Sequence, residues 1–226
     1  MKEGFFISLE GFEGSGKTTI AKKMHEILTK NKYKAMLTKE PGGTYTADKI
    51  REILLEKETK NLGNKAELLL FAASRSENVL QNIKPALKNG FIVITDRYFD
   101  STTAYQGYGR GLDMEAVNFI NEFVTENIIP NLTFYLDVDP EIGLKRSTVS
   151  SQGKEMRFED EFLKGKIIKG KLFLERVRDG YLKIAAQNPK RIKIINSNRS
   201  IDFVLNDIIA ILNNSLPRKL DLNKIN

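Results

Sequence analysis

Short apolar runs alternate with longer amphipathic stretches along this chain. Residues 5–9, 34–38, 91–95, 132–138 and 192–195 are brief, apolar and bounded by glycine, proline or polar residues. Such runs read as strands, and their near-continuous apolarity reads as burial on both faces of a parallel sheet. Between them, apolar positions recur at three- and four-residue spacing over 20–28, 47–56 and 65–87, and Asn89-Gly90 supplies a helix stop. Strands alternating with helices predict a three-layer α/β fold, a parallel sheet flanked by helices. Two stretches break the alternation. Residues 147–171 are polar, hold Gly153, Gly165 and Gly170, and read as a mobile lid. Residues 217–226 read as a peripheral tail, leaving one domain over 1–216.

Composition narrows the chemistry. The 226 residues suit one large domain, and 41% hydrophobic with 29% charged residues is ordinary for a globular core. No apolar run approaches the ~20 residues of a membrane span, and the N-terminus lacks a secretory pattern. With no cysteine and a single histidine, His25, neither thiolate chemistry nor a histidine metal site is available. A cytoplasmic chemistry of the magnesium type remains. The net charge of +7 fits either nucleic acid or a small polyanion gathered in one cleft.

Gly11-Phe12-Glu13-Gly14-Ser15-Gly16-Lys17-Thr18 lies between the first predicted strand and the first predicted helix and fits G-x-x-x-x-G-K-[ST], with Thr19 following. Glycines let the backbone turn its N–H groups inward, and the helix offers its positive end to the same space. Lys17 then spans the β- and γ-phosphates of ATP, and Thr18 gives a hydroxyl to Mg²⁺. Glu13 inside this loop repels phosphate unless it has another duty, such as a substrate hydroxyl; an outward-facing loop glutamate is the plainer alternative. Asp96-Arg97 directly follows the third predicted strand, at the sheet edge where ligands bind. An acid there can hold Mg²⁺ and an arginine can clamp phosphate, although a surface ion pair has the same sequence.

Several blocks together resemble thymidylate kinases. They are Leu9-Glu10-Gly11 through Thr19, Lys39-Glu40-Pro41-Gly42-Gly43-Thr44, Leu70-Phe71-Ala72-Ala73-Ser74-Arg75, Asp96-Arg97-Tyr98 with Tyr105-Gln106-Gly107, and Leu136-Asp137-Val138-Asp139-Pro140 through Arg146. The resemblance covers roughly the first 150 residues and implies a P-loop kinase acting on ATP and dTMP with Mg²⁺, commonly as a homodimer, with no nucleic-acid or membrane partner. It implies that Phe71 stacks on thymine and Arg75 hydrogen-bonds the base. Their four-residue spacing independently puts both on one helix face. It also implies that Arg51 and Arg97 grip the dTMP phosphate and that Glu13 meets the sugar 3′-hydroxyl. Pro41, Tyr105 and Gln106 belong to the same dTMP set, and Arg146 lies against adenine. Phe71 and Tyr105 could instead be packing residues, and Arg146 a helix-surface arginine.

The family divides by where its catalytic arginine lies. Some members carry a basic residue in the loop where this chain has Gly14-Ser15, so the resemblance implies a lid arginine, best matched by Arg157, with Arg176 and Arg178 as alternatives. Residues 161–171 depart from the family pattern. Lys164, Lys166, Lys169 and Lys171 there read as a solvated segment, or as extra phosphate contacts. Two other functions stay open: a kinase for a different nucleoside monophosphate, and a P-loop ATPase that binds nucleic acid. No basic stripe or nucleic-acid motif favours the second.

Overall fold

A computed structural model describes residues 4–56, 59, 62–150 and 167–221. Five strands form one parallel sheet: β1 (Phe5–Glu10), β2 (Ala35–Lys39), β3 (Ile92–Asp96), β4 (Leu132–Asp137) and β5 (Ile192–Asn196). Their order is β2-β3-β1-β4-β5, so β1 lies at the centre. The helices are α1 (Lys17–Lys30), α2 (Tyr45–Leu55), α3 (Asn64–Asn78), α4 (Lys84–Lys88), α5 (Phe99–Thr102), α6 (Met114–Thr125), α7 (Pro140–Ser150), α8 (Ile167–Gln187) and α9 (Ile201–Asn213). Two π-helical segments, Val79–Ile83 and Thr103–Gly109, follow α3 and α5.

The period-two geometry of a strand sorts β1 onto two faces. Ile7 and Leu9 pack with Ile20, Met24, Ile208 and Leu212, from α1 and α9. Phe6 turns the other way and packs with Val79, Ile83 and Tyr98. Beside it on that second face, Tyr135, Phe173, Val177 and Tyr181 pack α8 against the sheet. Glu10 shares its face with Phe6 and Ser8, so the pleat aims its carboxylate into the protein. Pairing of Leu9 with Asp96 brings the carboxyl ends of β1 and β3 side by side, and both chemical motifs start there.

Two boundaries differ from the sequence reading. The lid stretch 147–171 is helical at both of its described ends, because α7 runs on to Ser150 and α8 begins at Ile167. The helical repeat of Leu174, Val177, Tyr181 and Ile184 therefore extends back through charged residues, with Lys169 and Lys171 inside a helix. The tail also departs from its reading up to Asp221. Leu220 is buried in the α1–α9 core, and Asp221 donates its backbone N–H to Asn31 Oδ1 at 2.9 Å. The Tyr33 hydroxyl donates to the Arg218 carbonyl at 2.7 Å. The domain thus continues past residue 216.

Candidate active site

The loop between β1 and α1 is held open by its own geometry. Gly14 has φ +70°, and a Cβ there would sit 2.0 Å from the carbonyl oxygen of Gly143 in α7. Only glycine fits both the left-handed backbone and that approach. Gly16, at φ +92°, caps α1, so the first backbone N–H groups of the helix face the space above the loop. Lys17 Nζ donates to the Phe12 carbonyl at 2.5 Å and lies 3.5 Å from Ser15 Oγ. Burial and the neighbouring Arg97 push its ammonium pKa down, opposed by Glu13 and Asp96. A phosphate is the ligand that stabilises its charged form.

Arg97 occupies a strained position. Its φ of +74° is in the left-handed region, uncommon for a residue with a side chain. The backbone turn aims its guanidinium back across the sheet edge. Nη2 donates to Glu13 Oε1 at 2.8 Å, Nη1 donates to Ser101 Oγ at 3.1 Å, and the group stacks 5.2 Å from the Tyr105 ring. Desolvation pushes the Glu13 carboxyl up, but Lys17 and Arg97 outweigh it and hold the group down at about 2. Thr18 Oγ1 donates to Asp96 Oδ2 at 2.5 Å. This hydroxyl and carboxylate are hard oxygen donors of the kind Mg²⁺ shares with water and phosphate, so the residues fit that ion.

Beneath Arg97 lies Glu10, which sequence reading missed. It accepts the Tyr98 backbone N–H at 2.8 Å, the Ser8 hydroxyl at 2.9 Å, the Ser101 hydroxyl at 2.5 Å and the Tyr181 hydroxyl at 3.2 Å. Burial, reinforced by Asp100, pushes its carboxyl up to about 7, against the pull of Ser101, Arg97 and Ser8. It joins β1, the Arg97 turn and α8 at one point.

One cavity of about 720 Å³ opens from this edge, lined by Glu13, Lys17, Thr18, Asp96 and Arg97 at one end and by Phe71, Arg75, Tyr105 and Gln106 at the other. Pro41 and Arg51 line it as well, and Arg51 Nη1 donates to the Pro41 carbonyl at 3.0 Å. Arg75 is fully enclosed. Its Nε donates to Glu40 Oε2 at 2.7 Å, and its Nη1 donates to Thr102 Oγ1 at 2.9 Å and Asn121 Oδ1 at 3.1 Å. Burial pushes the Glu40 carboxyl up, and Arg75 pulls against it. Gln106 Nε2 donates to the buried Glu67 at 2.9 Å. Glu40 and Glu67 escaped sequence reading, although 67, 71 and 75 fall at successive four-residue steps of α3.

Other predicted residues lie outside the cavity lining. The Phe12 side chain turns into the core, 6.5 Å from the Tyr105 ring, so only its backbone serves the loop. Gly11, Gly14, Ser15 and Gly16 contribute as loop, and Thr19 is exposed on the first turn of α1. Arg146 Nη1 donates to the Ser197 carbonyl at 2.7 Å, joining α7 to the turn after β5. Ser197 Oγ is buried there without a hydrogen-bond partner among the described residues. Arg157 lies outside the described residues, as do Lys164 and Lys166. Both alternatives to Arg157 are engaged elsewhere: Arg176 with the Gly109 carbonyl at 3.1 Å, and Arg178 with both carboxylate oxygens of Asp137 at 2.8 Å.

Comparison with known proteins agrees with the geometry. The thymidylate kinase family model matches residues 9–208. A thymidylate kinase of Clostridium novyi is 41% identical over 94% of this chain and all of its own length. One of Syntrophotalea carbinolica is 44% identical over 94% of this chain and 96% of its own. The crystal structure of thymidylate kinase from Ehrlichia chaffeensis superposes with a TM-score of 0.74 at 34% identity, covering 93% of this chain and 99% of that one. With the P-loop, the strained arginine and the enclosed Arg75 in one cavity, and with relatives matched over nearly their full length, this chain belongs to the thymidylate kinase family.

Proposed function

We propose that this chain transfers the γ-phosphate of ATP to the phosphate of dTMP, giving dTDP and ADP for dTTP synthesis. The observation that carries this is the single cavity joining Lys17 and Arg97 to the Phe71 and Arg75 stripe. One end suits phosphates and the other a planar base. The acceptor oxygen of dTMP is already anionic near neutral pH, so no strong general base is needed. Catalysis is then positioning and charge neutralisation. Lys17 and the α1 N-terminus hold the donor phosphates. Arg97, with Arg51 beside Pro41, takes the acceptor phosphate. Glu13, kept ionised by its cationic neighbours, accepts from the sugar 3′-hydroxyl and orients the nucleotide. Phe71 stacks on the base. Arg146 lies on the adenine side, where Ser197 Oγ still lacks a partner.

Thr18 and Asp96 are the residues that would hold Mg²⁺, which when bound neutralises charge on the donor phosphates. Arg157 is assigned as the lid arginine that meets transferring charge as the lid closes, and closure excludes water. The engagement of Arg176 and Arg178 with other groups supports that choice. The enzyme works in the cytoplasm, beside its nucleotide substrates; no helix among the described residues is long and apolar enough to cross a membrane. It acts as a homodimer. The exposed Phe119 and Phe123 of α6, stacked 6.3 Å apart, support a second copy covering that face. The test is transfer of label from γ-labelled ATP with Mg²⁺ and dTMP. Label in dTDP is expected; label in inorganic phosphate alone would refute the assignment.

A further inference from the structure

Three residues of α3 at successive four-residue steps, Glu67, Phe71 and Arg75, share one face of the helix. Phe71 and Arg75 line the cavity, whereas Glu67 stands behind Gln106, with its side chain only 2% exposed. Gln106 Nε2 donates to Glu67 Oε1 at 2.9 Å. Arg110 holds the same carboxylate, with its Nη2 3.4 Å from Oε2 and its Nε 3.5 Å from Oε1, while its guanidinium stacks 4.8 Å from the Phe173 ring. A carboxylate paired with a guanidinium accepts hydrogen bonds and does not donate. The amide of Gln106 therefore has one stable orientation, nitrogen to Glu67, and its oxygen is left for the cavity side.

Beside it, Arg75 offers donors only, because a guanidinium has no acceptor. Its Nε and Nη1 are already fixed by Glu40, Thr102 and Asn121. Arg75 and Gln106 line the same cavity, so the base end offers a donor and an acceptor. Among the pyrimidines, the complement, a carbonyl next to an N–H, is the imide edge of thymine or uracil. Cytosine presents the reverse pair, an amino group next to a bare ring nitrogen. It would set donor against donor at Arg75 and acceptor against acceptor at Gln106.

Resting on the dTMP reading above, we propose that Glu67, braced by Arg110, is a positioning residue that sets base selectivity by locking the Gln106 amide to accept from the pyrimidine imide N–H. It touches no substrate and acts only through Gln106. A glutamine at position 67 accepts or donates equally well, so the lock is lost and the Gln106 amide turns freely.

The test compares kcat/KM for dTMP and dCMP in the wild type, Glu67→Gln, Gln106→Leu and the double variant, with thermal melting and the KM for ATP as checks on folding. Glu67→Gln is expected to lower the dTMP-to-dCMP ratio by about tenfold, the worth of one well-made hydrogen bond. The loss comes mainly through KM for dTMP, with kcat and the KM for ATP near wild type. In the Gln106→Leu background, Glu67→Gln changes the ratio no further. Arg110→Gln, at the less buried end of the chain of contacts, lowers the ratio in the same direction and stands in if Glu67→Gln does not fold. An unchanged ratio in Glu67→Gln or its stand-in would overturn the proposal, as would an equal drop with and without Gln106. A wild type with no preference for dTMP would instead break the substrate assignment itself.

Discussion

At the proposed phosphate end of the cavity, the candidate groups are backbone N–H groups and charged side chains held by one another and by neighbouring polar atoms; at the proposed base end they are side chains fixed inside the protein. Arg97 and Glu13 hold each other, but the Glu13 side chain is 48% exposed and either can release the other when a nucleotide arrives. Arg75 and Glu40 form their pair with side chains 2% and 3% exposed, anchored further by Thr102, Asn121 and Asn78. The difference suits the chemistry proposed for each end. Transferring charge calls for cations that can turn from partner to substrate, whereas reading a base edge calls for donors and acceptors that cannot turn.

The comparison breaks most visibly at the buried pair. Arg75→Ala leaves Glu40 enclosed without its cation and is expected to cost about 3–5 kcal/mol in urea unfolding. Arg178→Ala, which removes the partly exposed pair with Asp137, should cost no more than about 1 kcal/mol. Equal losses would mean that the base end is no more rigid than the surface. Lys17→Ala attacks the other end. Turnover should fall about 10²–10³-fold or more, while calorimetric dTMP affinity stays close to wild type. Arg157→Ala sharpens the same distinction, with kcat lowered about 10²-fold and dTMP binding little changed. An intact kcat would remove Arg157 from the lid assignment.

Glu10 gives the effect that depends on pH. Folding raises its carboxyl from 4.5 to about 7, so in that window the folded protein holds a proton that the unfolded chain has released. Stability from this group is present below about pH 4.5 and is lost as pH rises through 7. Glu10→Gln should remove that loss, so the stability difference between pH 5 and pH 8 shrinks by about 1–3 kcal/mol relative to the wild type. Unfolding titrations at both pH values measure it. No change would mean that the donors from Ser8, Tyr98, Ser101 and Tyr181 already keep Glu10 ionised.

Much of the phosphate end is legible in the chain because backbone geometry constrains it. Gly14 and Gly16 are required by φ and by close approach, and they must precede Lys17 by fixed steps. Strand and helix order is legible for the same reason, since the apolar periods differ. The base end is half legible. The spacing of Phe71 and Arg75 puts them on one helix face, but nothing in the sequence sets Glu67 at the preceding step apart from any other helix glutamate. Its partners, Gln106 and Arg110, lie about forty residues away. Glu10 hides similarly, within a recognised block but bonded to Ser101 and Tyr181, 91 and 171 residues distant. Long-range pairing of this kind leaves no local pattern. Leu220 was missed because Leu220, Leu222 and Ile225, scattered through a polar tail, set no helix or strand period.

The most direct test of the whole account is ADP release with ATP and Mg²⁺, measured with dTMP, dUMP, dCMP, dGMP and no acceptor. Strong turnover on dTMP, some on dUMP because it shares the imide edge, and little on the rest is the expected result. Strong turnover on dCMP would contradict the reading of the base end. Hydrolysis indifferent to every monophosphate yet stimulated by DNA would contradict the kinase assignment itself.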